Sequence, residues 1–96
     1  MNDIIRMKSV DPVLNGVLKI EWLDGFVGVV DLRSIVMDGE MFAFLRKTPA
    51  RFLDVRLEQF GHKIYWLDDD GDEIDFGSHT LRQRAERQAE ILRLAS

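Results

Sequence analysis

Lys19-Ile20-Glu21-Trp22-Leu23-Asp24-Gly25 is the stretch whose reading decides the fold. Leu18, Ile20 and Trp22 alternate with Lys19 and Glu21, which is the period of a half-buried strand. Asp24-Gly25 then supplies the residues that a tight hairpin turn requires. A two-residue turn there pairs Leu23 with Phe26, Trp22 with Val27 and Ile20 with Val29. It therefore places Trp22, Ile20, Val27 and Val29 on one core face. Gly28 then lies opposite Glu21 on the other face, where a close approach or a bulge is allowed.

The same run returns at Lys63-Ile64-Tyr65-Trp66-Leu67-Asp68, again a short strand ending in Trp and an acidic, Gly-containing turn. The repetition predicts a meander of antiparallel strands. Upstream, Asp3 to Val10 alternates loosely and reads as a first strand. Asp11-Pro12 is expected to end it, because Pro cannot donate to a ladder, and Asn15-Gly16 marks a further turn. Downstream, Asp31 is placed as the N-cap of a short helix over Leu32 to Met37, closed by Asp38-Gly39. Glu40 to Lys47 reads as a second helix, with Met41, Phe44 and Leu45, or Phe42 and Leu45, facing in. Thr48-Pro49 opens another turn of helix through Phe52. Val55 to Phe60 and Lys63 to Leu67 form a second hairpin about Gly61-His62, and Ile74 and Phe76 a last brief strand.

Ser78 starts the final helix as its N-cap. Leu81, Ala85, Ala89 and Leu92 form its apolar stripe and are expected to seat it on the sheet. Ile91 and Leu94 fall off that stripe. They mark a subunit or partner contact, with fraying at the terminus as the plain alternative. The whole predicts an α+β fold: one antiparallel sheet of about five strands, short helices in the middle, and a C-terminal helix packed across one face. Residues 1–77 are the β-rich core and residues 78–96 the helix of the same domain.

Composition bounds the function. The chain has 96 residues, 46% of them hydrophobic and 31% charged, ordinary values for one globular domain. It has no Cys, which removes disulfides, thiolate metal sites and thiol catalysis, and which fits a cytoplasmic protein. Met1 to Ser9 is charged and too short for a signal peptide, and no run approaches a membrane span. A net charge of −4 weighs against sequence-independent binding to nucleic acid. The charge is uneven, −6 over residues 1–77 and +2 over residues 78–96.

Asp68-Asp69-Asp70-Gly71-Asp72-Glu73, with Asp75 beyond, invites a cation. An EF-hand does not fit: with Gly71 at the invariant sixth position, Trp66 falls at the first ligand position and Gly77 at the twelfth. Asp68, Asp70 and Asp72 are weak metal candidates, and Asp69, Asp70 and Asp72 candidates for a basic partner. A solvated turn is the plainer reading. His62 and His79 lack a second ligand at helical spacing. Ser34 and Ser78 carry no nucleophile signature, and no Gly-rich phosphate loop is present. No catalytic residue, metal or cofactor is expected. On the last helix, Arg82 and Arg93 share one flank and Arg84 and Arg87 the other, with Glu86 and Glu90 between. Arg82 with Glu86 and Glu90 with Arg93 read as intrahelical pairs. Trp22 and Trp66 are core residues or, less often, partner anchors.

The run Leu18-Lys19-Ile20-Glu21-Trp22 through Asp24-Gly25 to Val30-Asp31-Leu32 resembles an uncharacterised bacterial family catalogued as domain of unknown function 2442. So do Met41-Phe42-Ala43-Phe44-Leu45, Phe52 and Ile64-Tyr65-Trp66. The likeness covers residues 3–76. It departs at the end, where members usually carry Pro or Asn-Gly after the second Trp and a short Asp-Pro-x-x-Leu-Tyr finish. The resemblance implies a small α+β fold without established enzymatic activity, and antitoxin or accessory roles. Some relatives carry a helix-turn-helix domain, for which this chain has no room after residue 77. The expectation is a non-catalytic protein-interaction module, an antitoxin-like partner of a small basic protein, with self-association through the C-terminal helix as the other mode. A nucleic-acid regulator using the Arg-bearing helix and an enzyme with a non-local site are the alternatives.

Overall fold

Trp22 and Trp66 close the middle strands of two separate sheets that share one core. The computed structural model describes residues 5–95. Its strands are β1 (Met7–Leu14), β2 (Val17–Trp22), β3 (Val27–Asp31), β4 (Arg56–Leu57), β5 (Lys63–Leu67) and β6 (Glu73–Gly77). They form antiparallel sheets ordered β1-β2-β3 and β4-β5-β6, so the expected single sheet of about five strands is two sheets of three. The repeated Ile-x-Trp segments are β2 and β5, the central strand of each. Between β3 and β4 run α1 (Arg33–Asp38), a 3-10 turn (Glu40–Phe42), α2 (Ala43–Lys47) and a second 3-10 turn (Pro49–Asp54). These occupy the stretch in which a continuous sheet would need pairing. The C-terminal helix α3 (Ser78–Ala95) follows β6 directly.

The first hairpin corrects the expected register by one residue. Glu21 faces Val27, Ile20 faces Gly28 and Leu18 faces Val30. The loop has three residues, not two. The Gly25 N–H donates to the Trp22 carbonyl, the Trp22 N–H donates to the Phe26 carbonyl, and Gly25 takes the left-handed φ of 93°. That is a turn followed by a one-residue bulge. Because side chains alternate, the slip sends Val27 and Val29 outward and brings Gly28 and Val30 to the core face.

The first strand also differs. Asp3 and Ile4 of its expected span lie outside the described residues. β1 runs through Asp11-Pro12, with register shifts on either side of Ser9–Pro12. Pro12 is tolerated because β1 is a sheet edge. The second hairpin holds a four-residue connection, Gln59–His62, not a two-residue one. The Glu58 carboxylate there accepts the backbone N–H groups of Phe60 and His62. Gly61 ties the sheets together: its carbonyl accepts the Met7 N–H at 2.8 Å. A Cβ on it would fall 2.2 Å from the Met7 carbonyl oxygen.

One buried cluster joins Met7, Leu18, Ile20, Trp22, Val30 and Leu32 with Phe42, Phe44, Leu45, Phe52, Ile64, Trp66, Leu81 and Ala85. Of the residues expected inward on the middle helices, Phe42, Phe44 and Leu45 are buried and Met41 is exposed. Both indoles are satisfied at depth. The Trp22 Nε1–H donates to the Ser78 hydroxyl at 3.0 Å, and the Trp66 Nε1–H to the Phe52 carbonyl at 3.0 Å. Ser78 opens α3 as expected, but its hydroxyl serves Trp22. No helix among the described residues is long and apolar enough to cross a membrane.

Candidate functional site: the overhanging end of the C-terminal helix

The first half of α3 is seated. It begins beside Trp22 at Ser78, buries Leu81, and meets β3 where Ala85 touches Gly28. Only Gly leaves room for this crossing, since a Cβ on Gly28 would lie 2.8 Å from the Ala85 Cβ. Arg82 pins the same half from the side. Its guanidinium donates to both Asp24 carboxylate oxygens at 3.1 and 2.9 Å and to Glu86 at 3.0 Å. It also lies over the Phe26 and Trp22 rings. The Arg82 guanidinium holds the Asp24 carboxyl below the usual carboxylate range, and Asp24 in return raises the Arg82 pKa. The expected Arg82–Glu86 and Glu90–Arg93 pairs are both present.

The second half is not seated. Leu92 continues the stripe of Leu81 and Ala85, and was expected on the sheet, yet it is 62% exposed. The cause is reach: β3 is an edge strand of only five residues, and the helix outlasts it. Ala89 is exposed for the same reason. Ile91 and Leu94, which lie off that stripe, are 58% and 75% exposed, so the last two turns leave three large apolar side chains in solvent.

A cleft of about 380 Å³ lies under this end, lined by Asp31, Arg84, Arg87, Gln88, Ile91 and Leu92. Its lining mixes the apolar Ile91 and Leu92 with the charged Asp31, Arg84 and Arg87. Asp31 is already held by Arg33, which donates to it at 2.9 and 2.7 Å and lowers its pKa. No protein-family model matches the chain, and no curated protein or solved structure shows significant similarity to it. The functional reading therefore rests on this geometry.

The other sequence candidates fall into two groups. Trp22 and Trp66 are 0% and 1% exposed, so neither is a partner anchor. Their Nε1–H groups are spent inside the core, which corrects that expectation. The carboxylates of Asp68, Asp70 and Asp72 do converge, with one oxygen from each within 4.8 Å of the others. The backbone explains the convergence: Asp68 Oδ1 accepts the N–H groups of Asp70 and Asp72 at 2.9 and 2.8 Å, as an Asx turn does. Asp69 is drawn away to an ion pair with Arg51, which also donates to the Leu67 carbonyl. Asp70 and Asp72 remain exposed.

Sequence reasoning missed Arg51 and the Asp24–Arg82 pair. Partners separated by 18 and 58 residues leave no periodic signal. A second cleft of about 420 Å³, lined by Arg51, Asp54, Val55, Arg56 and Leu67, contains no imidazole or hydroxyl group.

Proposed function

We propose that this chain is a non-catalytic protein-interaction module that docks through the last two turns of α3. The observation that carries the reading is the exposure of Ile91, Leu92 and Leu94 on a helix whose first half is locked down by Ala85, Leu81 and Arg82. A rigid base with an apolar, solvent-facing end is what helix-mediated recognition uses. The likeness to the family of unknown function points the same way, toward an accessory protein without enzymatic activity, of the antitoxin-like kind.

Affinity capture tests the reading. Wild-type chain is compared with Leu92→Glu/Leu94→Glu and with a reversal of Asp69, Asp70 and Asp72 to Lys. A partner lost with the α3 variant and kept with the hairpin variant supports docking at α3. The opposite pattern transfers the site to the acidic hairpin, and a partner kept by both variants removes the α3 reading.

One observation favours a second reading. Arg84 and Arg87 line the same cleft and make no ion pair with a described carboxylate. A nucleic-acid regulator would use them on phosphates. Duplex DNA binding that falls steeply with salt, and falls further in Arg84→Gln/Arg87→Gln, would establish it. The net charge of −4 argues for the protein partner.

A further inference from the structure

We propose that Asn15 is a modification site: the Gly16 nitrogen converts it, without an enzyme, to aspartate and isoaspartate, and the conversion unties the β1–β2 turn from the second 3-10 turn.

The fold demands both residues. Leu14 pairs with Val17, so Asn15 and Gly16 alone make the turn. Gly16 is buried against Arg33, the first residue of α1, and its carbonyl accepts the Leu32 N–H at 2.8 Å. A Cβ at position 16 would lie 2.5 Å from the Arg33 Cγ, so only Gly fits. Asn15 is exposed, and its Nδ2 donates to the Pro49 carbonyl at 2.7 Å across 34 residues of chain. That bond ties the turn to the second 3-10 turn, which Pro49 opens.

The pair that the turn needs is also a labile one. Asn is thermolabile, and the bare α-carbon of Gly16 leaves the nitrogen beside it open to the Asn15 side-chain carbonyl. The chain's other Asn, Asn2, precedes Asp3, whose side chain hinders the same approach. The step needs only water. Hydroxide takes the Gly16 N–H proton, the nitrogen attacks the Asn15 Cγ, and a cyclic imide closes as the Cγ–Nδ2 bond breaks. Ammonia leaves, taking its last proton from water. Water then opens the imide: addition at Cγ gives aspartate, and addition at the main-chain carbonyl carbon gives isoaspartate. The balance is one water in and one ammonia out, with no redox change.

Either product breaks the tie. Aspartate turns an acceptor oxygen toward the Pro49 carbonyl, where the amide had offered a donor at 2.7 Å. Isoaspartate also adds a carbon to the main chain, inside a turn with no residue to spare and packed against Arg33. Both add a negative charge to a chain already at −4.

Peptide mapping by mass spectrometry tests this, after the folded chain and the chain in denaturant are incubated in mildly alkaline buffer. The tryptic peptide 9–19 is expected to gain the mass of an amide-to-acid conversion and to split on chromatography into aspartate and isoaspartate forms, faster as the pH rises. Closing the imide must open the Pro49 and Leu32 bonds at this turn. The folded chain is therefore expected to convert within about a hundredfold of the denatured rate, the worth of two hydrogen bonds. Asn15→Gln, which would need a larger ring, should stay unconverted. Asn15→Asp installs the product and should melt about 4 °C below wild type. It should also melt below Asn15→Ala, which removes the donor without adding an acceptor. A folded chain that converts more slowly than a hundredfold below the denatured one, or a Gln variant that converts as wild type does, overturns the site. Asn15→Asp melting level with or above either wild type or Asn15→Ala overturns the untying.

Discussion

Gly28 and Ala85 meet at a separation that leaves no room for a Cβ at position 28: it would stand 2.8 Å from that of Ala85 and 2.9 Å from the Phe26 ring. This contact sets how low α3 rides on β3, and so where its free end begins. Gly28→Ala is expected to destabilise the fold by about 1–3 kcal/mol, the usual cost of overpacking. Ala85→Gly in the same chain should recover part of that loss, though it brings its own helix penalty of about 1 kcal/mol. Denaturant unfolding of the two single variants and the double variant measures the coupling. Strictly additive effects would show that the two residues do not press on each other.

Trp22 depends on Ser78 across 56 residues of chain, through the buried 3.0 Å bond from its indole N–H. Ser78→Ala leaves that donor without its acceptor at a cost of about 1–3 kcal/mol. Trp22→Phe removes the donor, so adding Ser78→Ala to it should cost much less than adding it to wild type. Equal costs in both backgrounds, measured by thermal unfolding, would mean that the bond contributes nothing.

Acid should weaken the fold in a defined window. Asp24 is held low first by Arg82, Asp31 first by Arg33, and Glu58 by the backbone N–H groups of Phe60 and His62. Each carboxyl is more acidic folded than unfolded, so the unfolded chain binds more protons as the pH drops. The stabilisation is fully present above the ordinary carboxylate pKa of about 4 and fades as the pH falls through the lowered values. Tm is expected to hold between about pH 5 and 7 and to drop below about pH 4. Asp24→Asn should start lower at neutral pH and converge with wild type in acid. Parallel curves would assign the acid sensitivity elsewhere.

Much of this architecture was legible. The alternation around Ile20 and Ile64 identified both central strands, and Asn15-Gly16 and Asp24-Gly25 located the turns on either side of the first. The register was not legible, because the same Asp-Gly pair serves a two-residue turn and a three-residue turn with a bulge. That single ambiguity reversed the faces of Val27, Val29 and Gly28. The split into two sheets was hidden because local pattern does not say which strands pair across the helical stretch between Asp31 and Arg56. At the candidate site, Ile91 and Leu94 stood out by falling off the helical stripe. Leu92 did not, since periodicity tells which side of a helix faces inward but not where the sheet below it stops. Trp22 and Trp66 are core residues, the first of the two readings their pattern offered, while the partner-anchor alternative fails because both are buried and their N–H groups are bonded to Ser78 and Phe52, which only the fold brings near.

The acidic hairpin should behave as a turn. With Asp68 accepting two backbone N–H groups and Asp69 paired to Arg51, the convergence is accounted for by the chain's own donors. Calcium titration by calorimetry is expected to give no saturable heat at micromolar levels, and Asp70→Asn/Asp72→Asn to leave Tm within about 2 °C with or without calcium. A calcium-dependent rise in Tm that this variant abolishes would make the hairpin a cation site.

Amide hydrogen exchange of the chain, dilute and then in its associated state, tests most directly where this molecule docks. Docking through the helix end predicts new protection at residues 88–95, with the 68–75 hairpin unchanged. Protection confined to 68–75, with the end of α3 exchanging as fast as before, would contradict it.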